Sequence, residues 1–110
     1  MRTVRTYTAQ IQLGLRVGYS NKVINKEDVH TCCQRFVDDE KLCVSVSETT
    51  FIYTQGIEKG LVITLISYPR FPSEQEELES IAITLGTQLK EFCKQLRVSI
   101  VLTDYTLLLE

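Results

Sequence analysis

The sequence predicts an α+β sandwich with the element order βαββαβ, and three patterns predict it. Tyr7, Ala9, Ile11, Leu13, Leu15 and Val17 alternate with Thr8, Gln10, Gln12, Gly14 and Arg16, the period-two signature of a strand with one apolar face. Two later segments carry apolar residues at helical spacing. Between them lie two strand-like runs joined by a glycine-bracketed connection, as in a β-hairpin. This order fits the ferredoxin-like split-βαβ motif, with both helices on one face of an antiparallel sheet. The strand order expected is four-one-three-two, in a single ferredoxin-like domain spanning residues 1–110.

The first strand ends where Gly18-Tyr19-Ser20-Asn21 breaks the alternation. Asn25 is placed to cap a helix whose first turn carries Glu27 and Asp28, favourable at the positive end of the helix dipole. Its stripe is Val29, Cys32, Cys33, Phe36 and Val37, and the charged run Asp38-Asp39-Glu40-Lys41 ends it. The second strand starts at Leu42. Phe51 and Tyr53 follow Val44 and Val46 out of phase, which suggests a bulge near Glu48-Thr49-Thr50. Gln55 to Gly60 reads as the hairpin loop. Leu61 to Ile66 is apolar on both faces and so belongs in the middle of the sheet.

Ser73 and Glu76 form a capping-box pattern at the start of the longest helix, Glu74 to Gln95. Its stripe reads Leu78, Ile81, Ala82, Leu85, Leu89, Phe92 and Leu96. Val98 to Leu102 is the fourth strand, and Thr103-Asp104 separates it from a short extra C-terminal strand, Tyr105 to Leu109.

Composition narrows the function. A chain of 110 residues with 44% hydrophobic and 24% charged residues is ordinary for a globular domain. A net charge of -2 with scattered basic residues argues against a nucleic-acid polymer as partner. No apolar run nears the ~20 residues that span a bilayer. The start, MRTVRTYTAQ, lacks the apolar core of a signal peptide, so the expected location is cytoplasmic and no membrane partner is expected. The four cysteines, Cys32, Cys33, Cys43 and Cys93, fall in segments that read as core and are expected to be reduced.

Few residues carry an obvious chemistry. Cys33, three residues after the sole histidine His30, could form a nucleophile pair, but it shares the buried stripe. The acids Glu74, Glu76, Glu77 and Glu79 are explained by the helix dipole they complement. No catalytic residue, metal ligand or cofactor is therefore assigned. The best ligand-binding candidates are Tyr68, Arg70 and Phe71 on the proline-stiffened corner Tyr68-Pro69-Arg70-Phe71-Pro72-Ser73. At the other end of the sheet stand Arg16 and Tyr19, with Tyr53 and Thr49 on the hairpin. Aromatics beside arginine can stack a base and hold an anionic group. The face away from the helices, with Gln10, Gln12, Ser45, Ser47 and Thr64 beside Val62 and Val101, is too apolar for solvent alone and predicts a homo-oligomer, a homodimer in its simplest form.

The stretches Leu13-Gly14-Leu15 with Gly18-Tyr19, Leu42-Cys43-Val44, Phe51-Ile52-Tyr53 and Tyr68-Pro69-Arg70-Phe71-Pro72 resemble small proteins of phages and other mobile elements. That resemblance implies an oligomer that binds host factors or sequesters signalling nucleotides. The resulting expectation is a non-enzymatic homo-oligomer that binds or sequesters a small anionic ligand, nucleotide binding being one such case. The alternative is a protein-interaction or structural module using the mixed sheet face, and a small enzyme ranks last.

Overall fold

A computed structural model describes Met1, Thr3, residues 5–66 and residues 74–110. One five-stranded antiparallel sheet backs two helices in the order β1 (Thr8–Gly14), α1 (Lys26–Glu40), β2 (Val44–Tyr53), β3 (Gly56–Ile66), α2 (Gln75–Phe92), β4 (Val98–Leu102) and β5 (Thr106–Leu109). The strand order is β2-β3-β1-β4-β5. This is the ferredoxin-like arrangement read from the sequence, with the extra C-terminal strand added beside β4.

Alternation builds the core. Along β1, Ala9, Ile11 and Leu13 are fully buried against the helices while Gln10 and Gln12 face away. Ile11 lies between Ile63 of β3 and Ile100 of β4, so one apolar row crosses the sheet beneath the helices. The opposite row runs through Ser47, Val62, Gln12, Ser99 and Leu108. α2 lies over β1 and β4 and buries Leu78, Ala82, Leu85 and Leu89, while α1 packs beside it and adds Val29, Cys33 and Phe36.

Asn25 caps α1 as expected, its side chain accepting a hydrogen bond from the Glu27 amide. Lys41 closes the helix in a left-handed conformation, donating its amide to the Val37 carbonyl. At α2 the N-cap position falls on Glu74, which makes no side-chain capping bond; Ser73 of the expected capping box lies outside the described residues.

Five local expectations are corrected. The first strand stops at Gly14, because Leu15 to Val17 turn back on residues 22–24: Val17 takes the Lys22 carbonyl, Ile24 takes the Leu15 carbonyl, and Arg16 bridges Val23. There is no bulge in the hairpin, since β2 and β3 pair in unbroken register from Val44↔Leu65 to Tyr53↔Gly56. The phase shift instead places Phe51 on the face opposite Val44 and Val46, where its ring covers the bare backbone of Gly60. The loop is two residues long, Thr54 and Gln55, with Gln55 in a left-handed conformation (φ 61°), so Gly56 to Gly60 belong to β3. α2 ends at Phe92, leaving Phe92 and Leu96 exposed while Cys93 takes the buried place. Cys43 is exposed, not core, because it sits just before β2, the edge strand of the sheet.

Candidate functional site

The β2–β3 hairpin outruns the helices, and two clefts flank its outer half. The larger, about 660 Å³, lies beside the start of α1 and is lined by Leu15, Val23, Ile24, Lys26, Thr49 and Lys59 among others. The smaller, about 330 Å³, is lined by Arg16, Gly18, Tyr19, Glu58, Gln95, Leu96 and Arg97. Both fall in the size range of small-molecule sites. Charge chemistry separates them. In the larger cleft, Lys26 Nζ donates to Glu48 Oε1 at 2.8 Å, a tight pair that holds the lysine above its ordinary pKa and the carboxyl below its own. Both groups already have a full-strength partner.

The smaller cleft is different. Arg16 Nη2 stands 3.8 Å from Glu58 Oε1 and reaches the Tyr53 hydroxyl only at 3.4 Å. Both contacts are long against the 2.7–2.9 Å of a well-formed charge-assisted bond. Arg16 Nε is buried with no hydrogen-bond partner among the described residues. The backbone of Arg16 is nevertheless pinned, because Gln95 Nε2 donates to its carbonyl at 2.5 Å.

Local sequence explains why these groups can meet. Gly14 has no side chain, and a Cβ there would strike the Glu58 carboxylate and come within 3.1 Å of Gln95 Oε1. The missing side chain on β1 is the space into which Glu58 folds. Gln95 reaches the site because the backbone turns sharply at Lys94 (φ 53°), just past the end of α2.

The expected site residues divide. Arg16 and Tyr53 are brought into contact, and Tyr19 lines the same cleft as Arg16. Thr49 lines the other cleft and takes no part in this cluster. Tyr68, Arg70 and Phe71 lie outside the described residues. Sequence reading missed Glu58, Gln95 and Arg97. Glu58 was hidden by its assignment to a loop; had the two-residue turn been recognised, pairing would have put it opposite Phe51.

The thiols are poor nucleophile candidates. Burial pushes both Cys33 and Cys93 up to about 11, which keeps them protonated and unreactive. His30 is exposed on α1. Among the described residues, no group of three or more His, Cys, Asp or Glu gathers as metal ligands, and no helix is long and apolar enough to cross a membrane.

No protein-family model matches the chain, and no curated protein matches it. Solved structures do share its fold. A phage SAM lyase in its apo state superposes with a TM-score of 0.74 at 18% identity, covering 94% of this chain and 87% of that one. A phage SAM lyase in complex with S-methyl-5′-thioadenosine does so with a TM-score of 0.74 at 16% identity, covering 94% and 88%. The likeness to phage proteins read from the sequence is thus supported at the level of the fold. The same finding overturns the expectation of a non-enzymatic protein, because both of these solved structures are of phage SAM lyase, an enzyme.

Proposed function

We propose that this protein is a phage-type enzyme that binds S-adenosylmethionine and cleaves its carbon–sulfur bond on the amino-acid side, releasing S-methyl-5′-thioadenosine. The observation that carries this reading is the likeness, over 94% of the chain, to a SAM lyase whose structures include a complex with that thioether. The Arg16–Tyr53–Glu58 cluster supports it from within the chain. It offers a guanidinium and a carboxylate lining a cleft of ligand size, with the Tyr53 phenol reached by Arg16 beside it, and the contacts among them are long.

The chemistry asked of such a site is modest. The bond's electron pair leaves with sulfur, turning a sulfonium cation into a neutral thioether. The carbon left behind is relieved by attack of the substrate's own carboxylate, or by loss of a neighbouring proton to a base. Either route disperses charge, so the protein's part is to hold the reacting ends in a productive pose and exclude water from them. Arg16 and Tyr53 supply orientation, and Tyr19 supplies an aromatic surface for the adenosyl part. A homo-oligomer fits the same reading, since the half-exposed open face with Val62, Val101 and Leu108 gains from being covered.

The test is direct. Purified protein incubated with S-adenosylmethionine should release S-methyl-5′-thioadenosine, followed by mass spectrometry, well above the rate in buffer. Light scattering on the same sample reads the mass of the assembly. No release, together with no thermal shift on adding S-adenosylmethionine or S-methyl-5′-thioadenosine, overturns the assignment.

A further inference from the structure

We infer that the smaller cleft recognises the zwitterionic α-amino-acid end of its ligand: Arg16 and Arg97 take the carboxylate, and Glu58 takes the ammonium. The inference rests on the adenosyl-sulfonium reading above and assigns which end of that ligand lies in this cleft.

Its starting point is the difference between two ion pairs among the described residues. Lys26 and Glu48 meet at 2.8 Å although both are well exposed. Arg16 and Glu58 stand 3.8 Å apart although Glu58 keeps only 18% of its side-chain exposure. A carboxylate drawn that far from water needs hydrogen bonds in return. Among the described residues Arg16 is its one charged partner, and at 3.8 Å that partner is too distant to donate well. Arg16 mirrors this state, with its Nε unpartnered and its two other contacts long. A second guanidinium, Arg97, lines the same cleft.

Two cations and one anion line this one cleft, and the Arg16–Glu58 pair within it is short of close partners; together they complement a group that carries its own neighbouring carboxylate and ammonium. Entering with its charges reversed relative to the Arg16–Glu58 pair, an α-amino acid gives every group a close, charge-assisted partner. A ligand with one charge would improve one side and leave the other unpaired.

The reaction itself argues that Glu58 meets the ammonium and not the sulfonium. Sulfonium charge disappears as the carbon–sulfur bond breaks, so a carboxylate on sulfur would stabilise the ground state more than the transition state. The ammonium keeps its charge throughout, so holding it orients the substrate at no such cost; the arginines' hold on the carboxylate is free of that cost only when the carbon is relieved by proton loss and not by carboxylate attack. Gly14 and Gln95 serve as positioning residues: one leaves room for the Glu58 carboxylate, the other pins the Arg16 backbone.

The experiment compares two stable probes by calorimetry on the full chain. S-adenosylhomocysteine carries the amino-acid end, and S-methyl-5′-thioadenosine lacks it. Glu58→Gln keeps the shape of the side chain, and Arg97→Ala alters an exposed residue, so both variants are expected to fold. Each should weaken S-adenosylhomocysteine about tenfold or more while leaving S-methyl-5′-thioadenosine within about twofold. If both probes weaken equally, or neither changes, the head-group assignment is wrong although an adenosyl ligand is bound. If wild-type protein binds neither probe, the adenosyl reading itself fails and the assignment falls with it.

Discussion

The helix-backed half of the sheet and its overhanging end are built from the same strands, yet they obey different rules. Under the helices, every second residue of β1, β3 and β4 is buried: Ile11, Ile63 and Ile100 form one row, and Ala9, Leu65 and Leu102 the next. Beyond Gly14 and Gly60, no helix covers β2 and β3. There the cross-strand pair Ile52 and Ile57 is 79% and 65% exposed, and charge clusters replace apolar rows. One half is held by burial and tolerates little change. The other is held by backbone pairing and two glycines, and it is where polar groups stand short of partners. Stability resides in the first half and the candidate chemistry in the second.

The largest effect that could break this contrast is in the core. Leu89→Ala removes a fully buried side chain from α2 and should cost about 2–5 kcal/mol in denaturant unfolding. A loss under 1 kcal/mol would mean the helix-backed half is not the stabilising one. Gly60→Ala comes next, because the two halves join there. An added Cβ meets the Phe51 ring and, at 2.6 Å, the Leu13 carbonyl oxygen of the neighbouring strand, which cannot swing aside as a side chain would. The expected cost is roughly 1–3 kcal/mol.

Alkaline titration sharpens the same contrast. Cys33 and Cys93 are raised by burial from an ordinary 9.0 to about 11 in the folded chain. Above pH 9 the unfolded chain therefore releases thiol protons that the folded chain retains. Stability should fall between pH 9 and 11, by roughly 1 kcal/mol per thiol at pH 10. Below pH 9 these groups make stability independent of pH. Exposed Cys43 should also react with a thiol reagent long before the two buried thiols, as mass mapping after a short pulse would show. The smallest effect belongs to the overhang: Ile57→Thr should shift stability by no more than about 0.5–1 kcal/mol. A larger loss in a concentration-dependent melt would reveal that this end is covered in solution.

Most of the helix-backed half was legible in the sequence. Period two in Tyr7 to Val17 and the helical stripes from Val29 and Leu78 report burial directly, because a side chain's face follows from its spacing. The hairpin end was less legible. Phe51 and Tyr53 were read as evidence for a bulge, since a face switch in mid-strand makes sense only once Gly60 is known to need a cover. Phe92 and Leu96 were assigned to the core by continuing a stripe past the point where the helix ends. Within the site, Arg16, Tyr19 and Tyr53 stand out in the sequence as an arginine near aromatics, but Glu58, Gln95 and Arg97 do not. Nothing local marks them, since a glutamate between two glycines and a glutamine after a helix are ordinary surface residues.

The sequence by itself determined the α+β class, the element order and the strand order, because periodicity, turn chemistry and the rules of strand connection act over short stretches of chain. Tertiary structure alone decided the site. Arg16 meets Tyr53 across 37 positions and Gln95 across 79, and their meeting depends on how far the hairpin outruns the helices and where α2 stops. Those distances are set by the packing of the whole sheet, and so is the space above Gly14 that lets a half-buried carboxylate face a loosely held arginine.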